Sequence, residues 1–180
     1  MSKAIDDLKH EHEAILSSLA TLDVMVDRAT KGGQVGPEDV RGFIRFLKEF
    51  ADTCHHGKEE GILFPTLVQA GMPERGGPIG VMLTEHTEGR RLIKDMEDAA
   101  AGTLAAERFA RAAQEYAGLL RAHIQKENNV LFPAAERVLS PDELERIHGR
   151  FEEHEEKVIG HGRHEELHAL LKELKRKYPA

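Results

Sequence analysis

The chain has 180 residues, 40% of them hydrophobic, and 25 Lys and Arg against 32 Asp and Glu give it a formal net charge of -7. This length favours one medium-sized domain, and the negative charge excludes a general affinity for the phosphate backbone of nucleic acids. The single cysteine, Cys54, excludes an intramolecular disulfide, and no run of about 18 apolar residues is long enough to cross a membrane. We therefore expect a soluble cytoplasmic protein without nucleic-acid or membrane partners.

Apolar residues recur at intervals of three and four along most of the chain, which predicts helices, and no segment alternates as a strand does. Glycines and prolines separate the helical segments, and Ser140 is placed to cap the fifth of them. The predicted helices cover roughly residues 2–30, 37–69, 78–101, 104–139, 141–159 and 163–178. Short loops between the first four predict an all-α, up-down-up-down four-helix bundle over residues 1–140. Residues 141–180 are expected to form a C-terminal helical extension packed on or beside that bundle.

The two halves of the predicted bundle carry the same motif. In each half a Glu-His dipeptide on one helix is followed, on the next, by a His-x-x-x-Glu element and then by Leu-Phe-Pro. The copies are Glu11-His12 with His55-x-x-x-Glu59, and Glu85-His86 with His123-x-x-x-Glu127. Pro65 and Pro133 each remove an intrahelical hydrogen bond, so we expect the helix to kink or stop just past each copy.

A projection at about 100° per residue indicates which histidines face inward. His55 aligns with Leu47 and Ala51, whereas the adjacent His56 aligns with Asp52 and Glu60. We therefore expect His55 to face the core, and His56, like His10, to face solvent. The histidines that lie in apolar stripes are His12, His55, His86 and His123.

Two carboxylates share these inner faces, because Glu59 and Glu127 each follow an inward histidine by four residues. A buried carboxylate is costly unless it is protonated, ion-paired or metal-bound, and on these faces only Arg90 is a candidate counter-ion. Neutral imidazoles and ionised carboxylates suit iron, manganese or zinc, and two carboxylates are able to bridge two ions. The sequence predicts a two-metal site, with no catalytic residue distinct from its ligands, formed by His12, His55, Glu59, His86, His123 and Glu127.

These motifs resemble those of the hemerythrin-like, or HHE cation-binding, family over roughly residues 3–139. The resemblance implies a four-helix bundle around two non-haem iron ions, with manganese or zinc less favoured. It also implies that the four inward histidines are terminal ligands and that Glu59 and Glu127 are bridging carboxylates. Oxygen-carrying members have a further histidine one turn after the third-helix ligand, where this chain has Arg90. The set of four His and two Glu is more similar to that of iron-cluster repair and iron-sensing members.

We expect the open coordination of such a centre to bind or react with oxygen, nitric oxide or peroxide, with redox activity on peroxide or nitric oxide and an electron donor as possible additions. The alternative is an iron- or oxygen-sensing or iron-handling module that acts through a protein partner. A third reading assigns the function to residues 141–180 and predicts that their deletion leaves the metal site intact. The pattern leaves open whether the protein is a monomer or a homodimer, and whether His56, Glu60 or His154 contributes to the site.

Overall fold

The computed structural model describes residues 2–180, and this range contains helices and no strand. The all-α class predicted from the sequence is confirmed. Within the described range, no helix is both long and apolar enough to cross a membrane. The elements are α1 (Lys3–Thr30), α2 (Pro37–Phe46), π1 (Leu47–His56), π2 (Glu59–Leu63), α3 (Phe64–Gln69), α4 (Pro78–Ala99), α5 (Ala106–Lys126), π3 (Glu127–Leu131), α6 (Phe132–Val138), α7 (Pro141–Val158) and α8 (Arg163–Lys177).

Side chains that accept hydrogen bonds from backbone N–H groups fix the starts of two helices. The Ser2 hydroxyl accepts from the backbone N–H of Ile5 at the start of α1. At the start of α7, the Ser140 hydroxyl accepts from the Glu143 backbone N–H, and the Glu143 carboxylate accepts from the Ser140 backbone N–H. Each such cap stabilises a helix by about 1 kcal/mol, because it satisfies backbone N–H groups that have no partner within the helix.

Neither Pro65 nor Pro133 stops its helix, because a π-helical turn precedes each of them. The backbone N–H of Phe64 bonds to the carbonyl of Glu59, and that of Phe132 bonds to the carbonyl of Glu127. In both cases the bond reaches five residues back rather than four, and the wider turn leaves room for the proline ring. Each long helical segment of the bundle is a rod: α1 is the first, α2 to α3 the second, α4 the third and α5 to α6 the fourth. The second and fourth rods therefore continue past the His-x-x-x-Glu elements, as α3 and α6.

The apolar core has two parts, and the buried histidines and glutamates lie between them. One part includes Phe43, Phe46 and Phe109, and the other includes Ile5 and Phe132. Burial of each large side chain stabilises the fold by about 1.5–3 kcal/mol. This apolar surface on both sides provides the free energy that offsets burial of a polar layer in the middle of the bundle.

The C-terminal helices contribute to both parts of this core. Leu167 and Leu171 of α8 belong to the part that contains Phe43, whereas Ile147 and Phe151 of α7 belong to the part that contains Phe132. The C-terminal extension thus packs against the bundle, and its apolar side chains belong to the same two parts of the core as those of the bundle.

Candidate metal centre

The structure brings the six predicted ligands together in the polar layer. His12, His55, His86 and His123 are each 1% exposed, and Glu59 and Glu127 are fully buried. They come from four rods, because α1, π1, α4 and α5 each supply a histidine and π2 and π3 each supply a glutamate.

The Nε2 atoms of the four imidazoles point towards the two carboxylates. Nε2 of His12 lies 3.1 Å, and that of His123 3.3 Å, from Oε2 of Glu127. Nε2 of His86 lies 3.5 Å from Oε2 of Glu59, and Nε2 of His55 lies 3.7 Å from Oε1 of the same carboxylate. Each of these imidazole nitrogens therefore lies 3.1–3.7 Å from a carboxylate oxygen inside the layer.

The opposite ring nitrogen, Nδ1, is held by a partner in every case. Glu11 accepts from Nδ1 of His55 at 2.8 Å, and Glu85 accepts from Nδ1 of His123 at 2.9 Å. The glutamate of each Glu-His dipeptide thus orients the histidine of the His-x-x-x-Glu element in its own half. The repeated Glu-His dipeptide is visible in the sequence, but the role of its glutamate is not, because the contact joins two different helices.

The two remaining imidazoles are held across the halves. Oε1 of Glu60 lies 2.7 Å from Nδ1 of His86, and Oδ1 of Asn128 lies 2.9 Å from Nδ1 of His12. In both copies the holding residue directly follows the buried glutamate. Such outer hydrogen bonds are typical of metal-binding histidines, because they fix the ring orientation and make the inner nitrogen more basic.

A lysine lies behind each of the dipeptide glutamates. Lys58 is 3% exposed and donates to Glu11 at 2.6 Å and to Glu155 of α7 at 2.9 Å, whereas the more exposed Lys126 donates to Glu85. Burial acts to raise the pKa of Glu11, but the hydrogen bond and charge of His55 and the Lys58 ammonium lower it to about 2. Glu11 is therefore ionised at neutral pH.

Cys54 packs beside Lys58 between the helices. It is fully buried, and burial raises the pKa of its thiol to about 12. Its ligand atom lies near those of Glu11 and Glu155. This group surrounds the Lys58 ammonium, so the charge of its carboxylates is already compensated.

Several inner atoms of the polar layer lack hydrogen-bond partners. Among residues 2–180, none is found for Nε2 of His12 or for either carboxylate oxygen of Glu59 or Glu127. Nε2 of His86 lies only 3.1 Å from Nε2 of His123, although a carboxylate at each Nδ1 directs the lone pair of Nε2 inward. Buried groups in this arrangement are able to hold a cation among them.

Burial and neighbouring charges shift the pKa values of the groups in this layer in different directions. Burial raises the pKa of Glu59 well above its usual range, and the nearby Glu127 carboxylate raises it further. Burial acts in the same direction on Glu127, but the nearby His12 and His123 rings lower the pKa of that carboxyl. Burial also lowers the pKa of His55 to about 4, so its imidazole is neutral and able to bind a metal ion.

The buried donors fall into two groups, and within each group one ligand atom per residue lies within 4.8 Å of the others. Glu59 belongs to both groups, so its carboxylate is placed between two potential ions. Imidazole and carboxylate donors in a bundle core suit first-row divalent metals. The groups are His12, His55, Glu59 and Glu127, and His56, Glu59, His86 and His123.

The prediction that His56 faces solvent is wrong, since this residue is only 3% exposed. It ends π1, where each turn holds more residues than an α-helical turn, so a projection at about 100° per residue loses its register. Its polar neighbours Asp52 and Glu60 do not mark a solvent-exposed face either, because both face Arg90 of α4 where the two helices meet. His10 is exposed, as predicted.

Arg90 lies outside the layer, where it donates to Asp52 at 2.8 Å and to Glu60 at 2.7 Å. It therefore supports the carboxylates that hold His56 and His86 and does not neutralise Glu59 or Glu127. His154 is half-buried, and its Nε2 lies 3.3 Å from the Thr53 carbonyl oxygen, on the outer side of π1.

Comparison with known proteins finds one matching family model and several similar proteins. The model of the hemerythrin HHE cation binding domain matches residues 3–135. Uncharacterized proteins of Mycobacterium tuberculosis and Mycobacterium bovis are 28% identical over 162 residues, which is 87% of this chain and 63% of theirs. The iron-sulfur cluster repair protein YtfE of Salmonella newport is 33% identical over 126 residues, which is 63% of this chain and 57% of that protein. The chain thus spans about 60% of the length of these relatives, and no solved structure gives a significant match.

Proposed function

The chain belongs to the hemerythrin HHE cation-binding family, and on this premise we propose that it is a non-haem di-iron protein that binds or reacts with oxygen, nitric oxide or peroxide. The observation that carries this proposal is the set of buried donors without partners, above all the four carboxylate oxygens of Glu59 and Glu127. Four such oxygens in a dry layer are explained by cations that bind them, since carboxylates and neutral imidazoles together are iron ligands.

The residues that would hold the ions are the six predicted from the sequence. His12, His55 and Glu127 would bind one ion and His86 and His123 the other, while Glu59 would reach both. When bound, two iron ions would supply binding of a small ligand and one-electron redox chemistry. The four residues that contact Nδ1 keep each imidazole in the tautomer whose lone pair points inward. They are Glu11, Glu60, Glu85 and Asn128.

Aromatic rings limit the access of water to this layer. The Phe132 ring stacks on His12 at 5.4 Å between centroids, and the Phe64 ring stacks on His86 at 5.9 Å. Both phenylalanines come from the Leu-Phe-Pro elements, so the same repeat supplies ligands and their apolar cover. A small, weakly hydrated ligand enters such a site at less cost than a large polar one.

A second candidate function is iron handling or iron sensing in the cytoplasm through a protein partner. The observation that favours it is the similarity to a protein named for iron-sulfur cluster repair. In this case occupancy of the centre would set the stability of the bundle, because an ion that binds only the folded state stabilises that state. Equal melting temperatures for the apo and metal-loaded protein would remove this second candidate.

The test of the main proposal is the metal content of untagged protein prepared without added metal. We expect about two iron ions per chain, with near-ultraviolet absorption bands that bleach on reduction. His12→Ala should lower the iron content, whereas His10→Ala, on the exposed face of the same helix, should leave it unchanged. Zinc in place of iron, or full iron loading of His12→Ala, would contradict the proposal.

A further inference from the structure

We propose that His56 is an additional metal ligand, and that it binds the ion held by His86 and His123, opposite the ion held by His12 and His55. This inference rests on the proposed function and deepens it. It adds a fifth imidazole to a site for which the sequence pattern and the family resemblance supply four, so one ion would have three histidines and Glu59, and the other two histidines, Glu59 and Glu127.

The position of the His56 ring carries the inference. The ring stacks on that of His86 with 3.9 Å between centroids and 17° between planes. It meets the His123 ring edge-on, at 5.7 Å and 73°. A ligand atom of His56 lies within 4.8 Å of those of His86, His123 and Glu59. Three imidazoles and one carboxylate thus surround the same point.

The outer contact of His56 follows the pattern of the other four histidines. Oδ1 of Asp52 lies 3.3 Å from its Nδ1, and Arg90 holds Asp52 in place with a bond of 2.8 Å. Because Asp52 accepts the proton of Nδ1, the lone pair of Nε2 points inward, as a metal ligand requires. Arg90 acts on the centre as a positioning residue, through Asp52.

The inner atom of His56 has no other use in the fold. Its Nε2 is buried and has no hydrogen-bond partner among residues 2–180. A histidine that served only to fill the core would leave this buried nitrogen unsatisfied, which is unfavourable. Parallel stacking of two imidazoles at 3.9 Å also disfavours a charge on both rings, whereas two neutral rings that bind one ion avoid this repulsion.

The ligand count supports the same assignment. Without His56, the group around His86 and His123 has three protein donors, whereas the group around His12 and His55 has four. With His56 each group has four. We therefore expect loss of His56 to weaken the ion held by His86 and His123 and to leave the other ion in place.

Anaerobic titration of the metal-free protein with Co²⁺ alone tests the assignment, because the visible absorption of Co²⁺ reports its ligands. We expect the wild-type chain to bind two ions, and His56→Ala to bind one of them at least about tenfold more weakly, with a changed spectrum. His154→Ala, a histidine variant on the outer side of π1, should titrate like the wild type. His12→Ala should weaken the other ion and keep the spectrum of the one bound by His56.

A second measurement on the wild-type chain avoids any variant that fails to fold. In the Co²⁺-loaded protein, the Nδ1–H protons of bound imidazoles give strongly shifted NMR signals, and hydrogen bonds protect them from exchange. Five such signals are expected if His56 is a ligand, one from each histidine of the two groups. A count without a signal from His56, or wild-type titration by a folded His56→Ala, would overturn the inference while the di-metal centre stands. Failure of the wild-type chain to bind metal would overturn the proposed function itself.

Discussion

Glu11 accepts a hydrogen bond of 2.8 Å from Nδ1 of His55, a residue 44 positions away on the next helical rod. The other half of the bundle repeats this contact between Glu85 and His123 at 2.9 Å. The glutamate of each Glu-His dipeptide therefore holds a histidine of the neighbouring rod, while the histidine beside it points into the polar layer. Each Glu-His dipeptide therefore supplies one histidine that points into the polar layer and one glutamate that holds another histidine from outside.

Glu11→Gln should weaken metal binding by about 10–100-fold, because the loss of the charge at Nδ1 makes Nε2 of His55 less basic. Glu13→Gln removes the same charge from the exposed side of α1 and is the matched control. Iron content and Co²⁺ titration of both variants measure the effect. Equal affinity in the two variants would show that the contact with His55 does not tune the centre.

The lysines behind the two dipeptides are expected to differ in their effect on stability. Lys58 is 3% exposed and compensates both Glu11 and Glu155, whereas the side chain of Lys126 is 40% exposed. Removal of one partner of a buried pair leaves the other charge uncompensated and costs about 3–5 kcal/mol. Lys58→Met should therefore lower the midpoint of urea unfolding much more than Lys126→Met. Similar midpoints for the two variants would contradict this view of Lys58.

Gly57 marks the contact between π1 and α7, and substitution there should be unfavourable. A Cβ on Gly57 would lie 2.7 Å from Nε2 of His154, whereas a Cβ on Gly118 in α5 would meet nothing within 4 Å. Gly118→Ala should stabilise the protein by about 0.5–1 kcal/mol, because alanine loses less backbone entropy in a helix. Gly57→Ala should lack this gain or be destabilising.

A double-mutant cycle checks the cause of that difference. In a His154→Ala background the clash is absent, so Gly57→Ala should then stabilise to about the same extent as Gly118→Ala. Urea unfolding of the four proteins of the cycle supplies the comparison. An effect of Gly57→Ala that does not depend on residue 154 would assign the cost to π1 itself.

The C-terminus is anchored by Tyr178, whose hydroxyl donates to Asp39 at 2.8 Å and accepts from the Gly36 backbone N–H at 3.2 Å. Lys177 donates to the same carboxylate at 2.6 Å. Tyr178→Phe keeps the ring and removes both hydroxyl bonds, so we expect a loss of about 1 kcal/mol in the free energy of unfolding at pH 7.

This loss should depend on pH in a defined direction. Burial acts to raise the pKa of Asp39, but hydrogen bonds from Lys177 and Tyr178 lower it below its ordinary value of 3.8. The stabilisation from the ionised carboxylate is thus complete above that value and is lost as the pH falls through the lower, folded-state pKa. Urea unfolding of the wild type and Tyr178→Phe at about pH 7 and pH 3 measures the change. A difference between them that grows in acid would refute the role of Asp39.

Much of the helical framework follows from local sequence. Ser140, Pro141 and Glu143 form the cap predicted for α7, and the apolar spacing placed His12, His55, His86 and His123 inward. These predictions succeeded because caps depend on neighbours within one turn, and because side chains three and four residues apart share a face of an α-helix. The repeated motif also indicated that the two halves of the bundle carry equivalent residues.

The inward position of His56 could not be predicted from helical spacing. Its inward position depends on π1, and a π-helical stretch changes the angle between successive residues. Its polar neighbours Asp52 and Glu60 meet Arg90 of α4, a contact that no spacing within the second rod predicts. A polar face on one helix can therefore be a buried seam once another helix covers it.

The amino-acid sequence by itself determined the all-α bundle, the duplicated motif and the burial of the six candidate donors, since each depends on local periodicity and residue type. The tertiary structure alone decided which residues hold those donors from outside. It paired Glu60 with His86 and Asn128 with His12 across the halves, and it turned His56 inward. The physical reason is that the direction of an imidazole is set by hydrogen bonds from neighbouring rods, and those neighbours exist only after the helices have packed.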